Sequence, residues 1–254
     1  MKGSVNMCTI NIFCDASVGS KGIGSCAGAL IEIIEKYKDD QDGKEYTSSS
    51  RQFNAVILHQ GTNNSGEAAA VALGVSKAIE IYKRCMLKSK GQFTYRINIF
   101  SDSLITVKGI KEWIFGWIEN YRDCYLINAS NNIVANQYFF KYIYNMILLN
   151  PEIKINIYHQ EGHVTSYFDS MMNGFRRVNG IYPQDIGLTP QYLCVNNDYV
   201  DNITRKIINE YISTGYDNGY PVDFTNYKNP TCNFNPPLLD TSSRAIEIYK
   251  NAIA

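Results

Sequence analysis

The sequence predicts an α/β protein: a five-stranded mixed sheet, three antiparallel strands and then parallel ones, flanked by helices. Three observations carry this expectation. Three β-rich runs separated by turn signals precede the first helical periodicity; a run of small apolar residues then recurs at helical spacing; beyond it, strand-like and helix-like segments alternate. With 254 residues, 45% of them hydrophobic, the chain can bury a full core.

The elements follow in order. "CTINIFCDAS" (8–17) is a first strand ending in an acid, and "GSCAGALIEIIEKY" (24–37) a second after a glycine-bearing turn. The polar "DDQDGKEYTSSS" (39–50) reads as a loop, and "RQFNAVILHQ" (51–60) as a third strand closing an antiparallel meander. From 64 or 65 to about 84 the spacing predicts a helix with Ser65 as N-cap. "YRINIFSDS" (95–103) is a fourth strand, again ending in an acid, followed by helices over 104–120 and 129–149, the second stopped by Asn150 and Pro151. "EIKINIYHQEGH" (152–163) is a fifth strand, and 164–179 a further helix. The order βββαβα(α)αβα describes a sheet with an antiparallel and a parallel half.

Residues 1–180 make one domain on this reading and 181–254 an extension. In the extension, "IYPQDIGLTPQYL" reads as a linker and 198–213 as an amphipathic helix, with a tyrosine- and asparagine-rich segment before a short final helix near 241–253. It has no histidine and only Cys194 and Cys232, which argues against a zinc site. Packing against the main domain, extending a substrate groove and holding a protein partner all remain open for it.

Composition excludes several classes. No apolar run approaches the roughly 18 residues that span a bilayer, and no signal-peptide pattern opens the chain, so a soluble protein without a membrane partner is expected. Seven scattered cysteines with no C-x-x-C pair point to free thiols in the cytoplasm or another reducing intracellular compartment. Net charge is zero, so any nucleic-acid binding must rest on a local patch, such as Lys83, Arg84, Lys88, Lys90 and Arg96.

The chemistry gathers on three acids. In "TNNSGEAAAVALGV" (62–75), Glu67 stands among small apolar residues, where a charge is unfavourable unless something binds it. Asp15 and Asp102 end strands, and in parallel sheets sites collect at the carboxyl ends of strands. Each acid alone is better explained as a cap or turn residue. Three converging carboxylates, however, repel one another unless a divalent cation is present, and an all-oxygen set suits Mg²⁺ or Mn²⁺.

"INIFCDAS", "GTNNSGEAAAVALGV", "IFSDSLITVKGIKEWIFGW" and "YHQEGH", in that order over about residues 8–180, resemble the successive signatures of the type 1 ribonuclease H family. The resemblance implies a ribonuclease H-like fold and an endonuclease that hydrolyses the RNA strand of RNA/DNA hybrids by two-metal chemistry, leaving 5′-phosphate and 3′-hydroxyl ends. It assigns Asp15, Glu67 and Asp102 as catalytic metal ligands, with two Mg²⁺ or Mn²⁺ ions when substrate is bound, and His163 as the histidine assisting proton transfer or product release. Asn63 and Asn64 become substrate contacts. Trp113, with Lys108 and Lys111, grips the DNA strand, while Trp117 packs. His59 and His159 are expected to be structural. One departure stands out. The family's last helix carries an Asn and, four residues on, a fourth Asp; counting from His163, those positions hold Asp169 and Asn173, so either is a candidate fourth ligand. The alternative is a catalytically weakened module that serves as a nucleic-acid-binding or structural subunit.

Overall fold

The structure, a computed structural model, describes residues 3–20, 24–39, 43–89, 93–162, 186–225, 227 and 238–253. The expected helix over 164–179, and with it His163, Asp169 and Asn173, lies outside the described residues.

Strands β1 (Gly3–Val18), β2 (Ser25–Asp39) and β3 (Glu45–Leu58) form the antiparallel meander, with Asp15 opposite Gly28 and Gly28 opposite Ala55. The stretch expected as a loop over 39–50 is mostly strand. Its serines and Thr47 are exposed, so their side chains stay in water while their backbone pairs with β2, and Gly43 at φ +70° turns the hairpin. Strand β4 (Thr94–Ser101) runs parallel to β1, and β5 (Asn156–His159), shorter than expected, runs parallel to β4. The sheet has six strands, not five. A two-residue strand, β6 (Val222–Asp223), adds to the outer edge of β3 and completes the order β5-β4-β1-β2-β3-β6. Two residues carry no periodicity that a sequence reading could detect.

Helix α1 (Asn63–Lys88) begins two residues before the expected cap. Thr62 is the N-cap and accepts from the Ser65 N–H, while Ser65 Oγ accepts from the Thr62 N–H, a reciprocal capping box. The segment expected as one helix over 104–120 is α2 (Leu104–Lys108), a π-helical turn (Gly109–Trp113) and α3 (Ile114–Glu119). Helix α4 (Gln137–Leu148) starts well after the expected position 129, because asparagines break up the preceding chain. The Asn128 side chain accepts from the N–H groups of Ser130 and Asn132, and Asn131 and Asn136 are left-handed.

The chain after 185 folds onto the same sheet. Helix α5 (Pro190–Thr214) starts inside the expected linker, with Thr189 as N-cap and Pro190 in the first turn. It covers one sheet face, where Leu193 and Val200 meet Phe13, Leu30, Phe100 and Tyr158, and Ile207 and Ile208 meet Cys26, Ala55 and Ile57. The opposite face is covered by α1, α4 and α6 (Ser243–Ala252), in one core that includes Ile10, Ile12, Ile97 and Tyr249. The Tyr249 hydroxyl donates to the Ile110 carbonyl at 3.0 Å.

Beneath α5, three strands repeat one pattern: "NIFCD" (11–15), "NIFSD" (98–102) and "NIYHQ" (156–160). Because side chains alternate along a strand, the register sets these out as rows across the sheet. Asn156 donates to Asn98 at 3.2 Å and Asn98 to Asn11 at 2.9 Å. One row further, Tyr158, Phe100 and Phe13 stack with centroids 5.3 and 5.2 Å apart. The third row, one residue past the last paired positions, is Gln160, Asp102 and Asp15. The buried amide row holds the strands in register, since a one-residue slip would turn each amide to the other face. Asn98→Ala strands the Asn11 side-chain oxygen Oδ1 and is expected to cost about 2 kcal/mol, read as a lower urea midpoint at unchanged slope.

Candidate active site

Asp15 lies within β1, one residue past its last pairing with β4, Asp102 stands just past the end of β4, and Glu67 projects from the first turns of α1. Close packing brings the helix there. A Cβ on Gly66 would lie 2.8 Å from that of Ala16, so a larger residue would lift Glu67 away from β1. One carboxylate oxygen from each acid lies within 4.8 Å of the others. Asp15 is 3% exposed and Glu67 6%.

This is an electrostatically costly arrangement. Burial, then the charges of Asp102 and Asp201, push the Asp15 carboxyl up to about 8. Burial, then Asp15 and Asp102, raise Glu67 well above the carboxylate range. The two carboxyls lie side by side, so ionising both at once is unfavourable. The Ala16 N–H donates to Asp15 Oδ1 at 2.6 Å, but Glu67 Oε2 is buried with no partner among the described residues. No cationic side chain pairs with Asp15 or Glu67 among those residues. Three hard oxygen donors, one of them unpartnered, fit a divalent cation such as Mg²⁺ or Mn²⁺.

Gly162 closes one side, since a Cβ there would lie 2.2 Å from Asp102 Oδ2. His159 Nε2 is 3.1 Å from the Asp102 carbonyl; a carbonyl only accepts, so the proton sits on Nε2. Like His59, which bonds the Tyr211 hydroxyl, it is occupied within the fold.

The remaining candidates divide. Asn63 and Asn64 are exposed at the start of α1, four and three residues before Glu67. Trp113 is 41% exposed, whereas Trp117 packs against Phe140 with centroids 5.0 Å apart. Lys108 is half-buried. Lys111 turns inward and donates to the Ile157 carbonyl at 3.3 Å, and burial lowers its pKa. Lys83, Arg84 and Lys88 lie at the far end of α1, about 24 Å or more along the helix from Glu67. Lys88 pairs with Glu35.

Sequence reasoning missed two residues here, Gln160 and Asn197. Asn197, on α5, donates to Asp15 Oδ2 at 3.4 Å and accepts from Gln160 Nε2. Four residues on, Asp201 is held by Ser17 and by both its oxygens to Arg205. The signals were present in the sequence. Gln160 ends the third copy of the strand pattern, and Asn197 and Asp201 repeat, further along the chain, the Asn-then-Asp spacing sought at 169 and 173.

No protein-family model matches the chain, and no curated protein matches it. Among solved structures it is similar to LC9-RNase H1, described as a type 1 RNase H with the type 2 active-site motif, at 18% identity and a TM-score of 0.40, over 63% of this chain and 66% of that one. It is also similar to RNase H1 from the halophilic archaeon Halobacterium salinarum NRC-1, at 12% identity and a TM-score of 0.25, over 54% of this chain and 76% of that one. The chain thus spans about two thirds of the length of the first. Its own architecture defines an α/β protein with a six-stranded mixed sheet and three acids gathered at one end of the central strands. Among the described residues no helix is long and apolar enough to cross a membrane.

Proposed function

We propose that the protein is a metal-dependent endonuclease of the ribonuclease H kind that hydrolyses the RNA strand of RNA/DNA hybrids. The observation that supports this most is the convergence of Asp15, Glu67 and Asp102 within 4.8 Å, with a buried carboxylate oxygen left unpartnered. A binding surface has no need of three acids that repel one another. Asp15, Glu67 and Asp102 would hold the cations, two Mg²⁺ or Mn²⁺ ions with substrate present, which would supply an activated water and charge stabilisation for the departing 3′-oxygen.

The chain's own groups do the rest. Asn63 and Asn64 offer amides that both donate and accept, which suits recognition of a 2′-hydroxyl. Exposed Trp113 and half-buried Lys108 form the contact to the other strand, and Lys111 supports β5 from within. His163 carries the proton-transfer or product-release role that the resemblance implies. The products are 5′-phosphate and 3′-hydroxyl ends.

The test is an end-labelled RNA/DNA hybrid incubated with Mg²⁺ or Mn²⁺ and with chelator, beside Asp102→Asn and beside duplex RNA and duplex DNA. Cutting of the hybrid's RNA strand alone, dependent on metal and lost in the variant, is the expected result. Intact hybrid binding without cutting in either metal would instead make the protein a binding module.

A further inference from the structure

We propose that Asn197, itself held by Gln160, is the positioning residue for Asp15, so that helix α5 completes the carboxylate centre with a neutral amide. This rests on reading that centre as a divalent-metal site. Both side chains are 1% exposed, and they form one continuous relay. The Gln160 N–H donates to the Ser101 carbonyl at 2.9 Å, Gln160 Nε2 donates to Asn197 Oδ1, and Asn197 Nδ2 donates to Asp15 Oδ2. Gln160 also occupies, just past β5, the row position that Asp102 occupies just past β4 and Asp15 occupies on β1.

The relay has a direction, and the acid sets it. Holding a cation requires Asp15 to be ionised, and an ionised carboxylate only accepts, so in that state Asn197 turns its NH₂ toward Asp15 and its carbonyl toward Gln160. Gln160 must then present its own NH₂, which leaves its Oε1 as a buried acceptor with no partner among the described residues. Such a group is unfavourable, and reversing both amides would move the problem to Asp15, where a carbonyl would face a carboxylate. The amide bond fixes Asp15 Oδ2 while the Ala16 N–H fixes Oδ1, so the carboxylate is clamped from both sides. Asp201, the acid of the same helix whose charge reaches Asp15, is itself bonded by Arg205 and Ser17, so the group that α5 places against Asp15 is a neutral amide.

The test measures Mn²⁺ affinity by isothermal titration on the full chain, beside hybrid cleavage and far-UV circular dichroism. Asn197→Leu is expected to weaken Mn²⁺ binding by about 10–100-fold and to lower kcat with little change in KM for the hybrid. Gln160→Leu, which removes the support behind Asn197, should weaken binding by a smaller factor in the same direction. Should Asn197→Leu fail to fold, Asn197→Ser, smaller and still polar, is read in the same way. Wild-type affinity retained in the folded Asn197 variant, while Glu67→Gln loses it, would overturn the positioning role and leave the metal site standing. No difference in Mn²⁺ binding between wild type and Glu67→Gln would overturn both.

Discussion

Glu67→Gln is expected to stabilise the metal-free protein while abolishing its metal-dependent chemistry. Burial, with Asp15 and Asp102 close by, raises the Glu67 carboxyl above its ordinary range, whereas in the unfolded chain it ionises near pH 4. The folded state therefore retains a proton that the unfolded chain has released. Stability from this group is complete below about pH 4 and is lost as the pH rises through the raised folded value. A glutamine amide never ionises, so the variant escapes that loss. The gain is expected to be small at pH 4 and larger at pH 8, read as a higher Tm than wild type. Thermal melts in chelator at pH 4, 6 and 8 measure it, and a variant less stable than wild type at pH 8 would contradict the account. With Mn²⁺ present the order reverses, because only the wild type gains stability by binding. Hybrid cleavage should fall by about 10³-fold.

Gly162→Ala should produce the second largest effect, without removing any functional group. The new methyl would sit 2.2 Å from Asp102 Oδ2, 3.0 Å from its Cγ and 3.1 Å from its Cβ, so the Asp102 carboxylate must leave the position it holds beside Asp15 and Glu67. Cleavage and Mn²⁺ affinity are each expected to drop by about 10–100-fold, while stability changes by less than about 1 kcal/mol. Titration and chemical denaturation of the same sample separate the two. A large loss of stability with unchanged Mn²⁺ affinity would show that Gly162 serves the fold and not the acid.

Much of this architecture is legible in one dimension. The meander, α1 and the parallel strands announce themselves by alternation, helical spacing and turn residues, and Asp15, Glu67 and Asp102 by being acids where the pattern calls for apolar or turn residues. The errors are local. The 39–50 stretch reads as a loop because solvated strand residues have loop-like composition, and Ser65 displaces Thr62 as cap because both belong to one capping box. Helix α5 is placed late because the Thr-Pro pair that starts it also looks like a linker.

Sequence by itself determined the local elements and the identity of the acids, because periodicity and charge within an apolar run are properties of neighbouring residues. Only the tertiary structure decided what surrounds those acids. The contact from Asn197 to Asp15 joins residues 182 positions apart, and that from Gln160 to Asn197 joins residues 37 apart. No spacing rule connects such residues. They meet because α5 buries its apolar stripe on the face of the sheet where Phe13, Phe100 and Tyr158 stack, and that packing carries an amide to the end of β1.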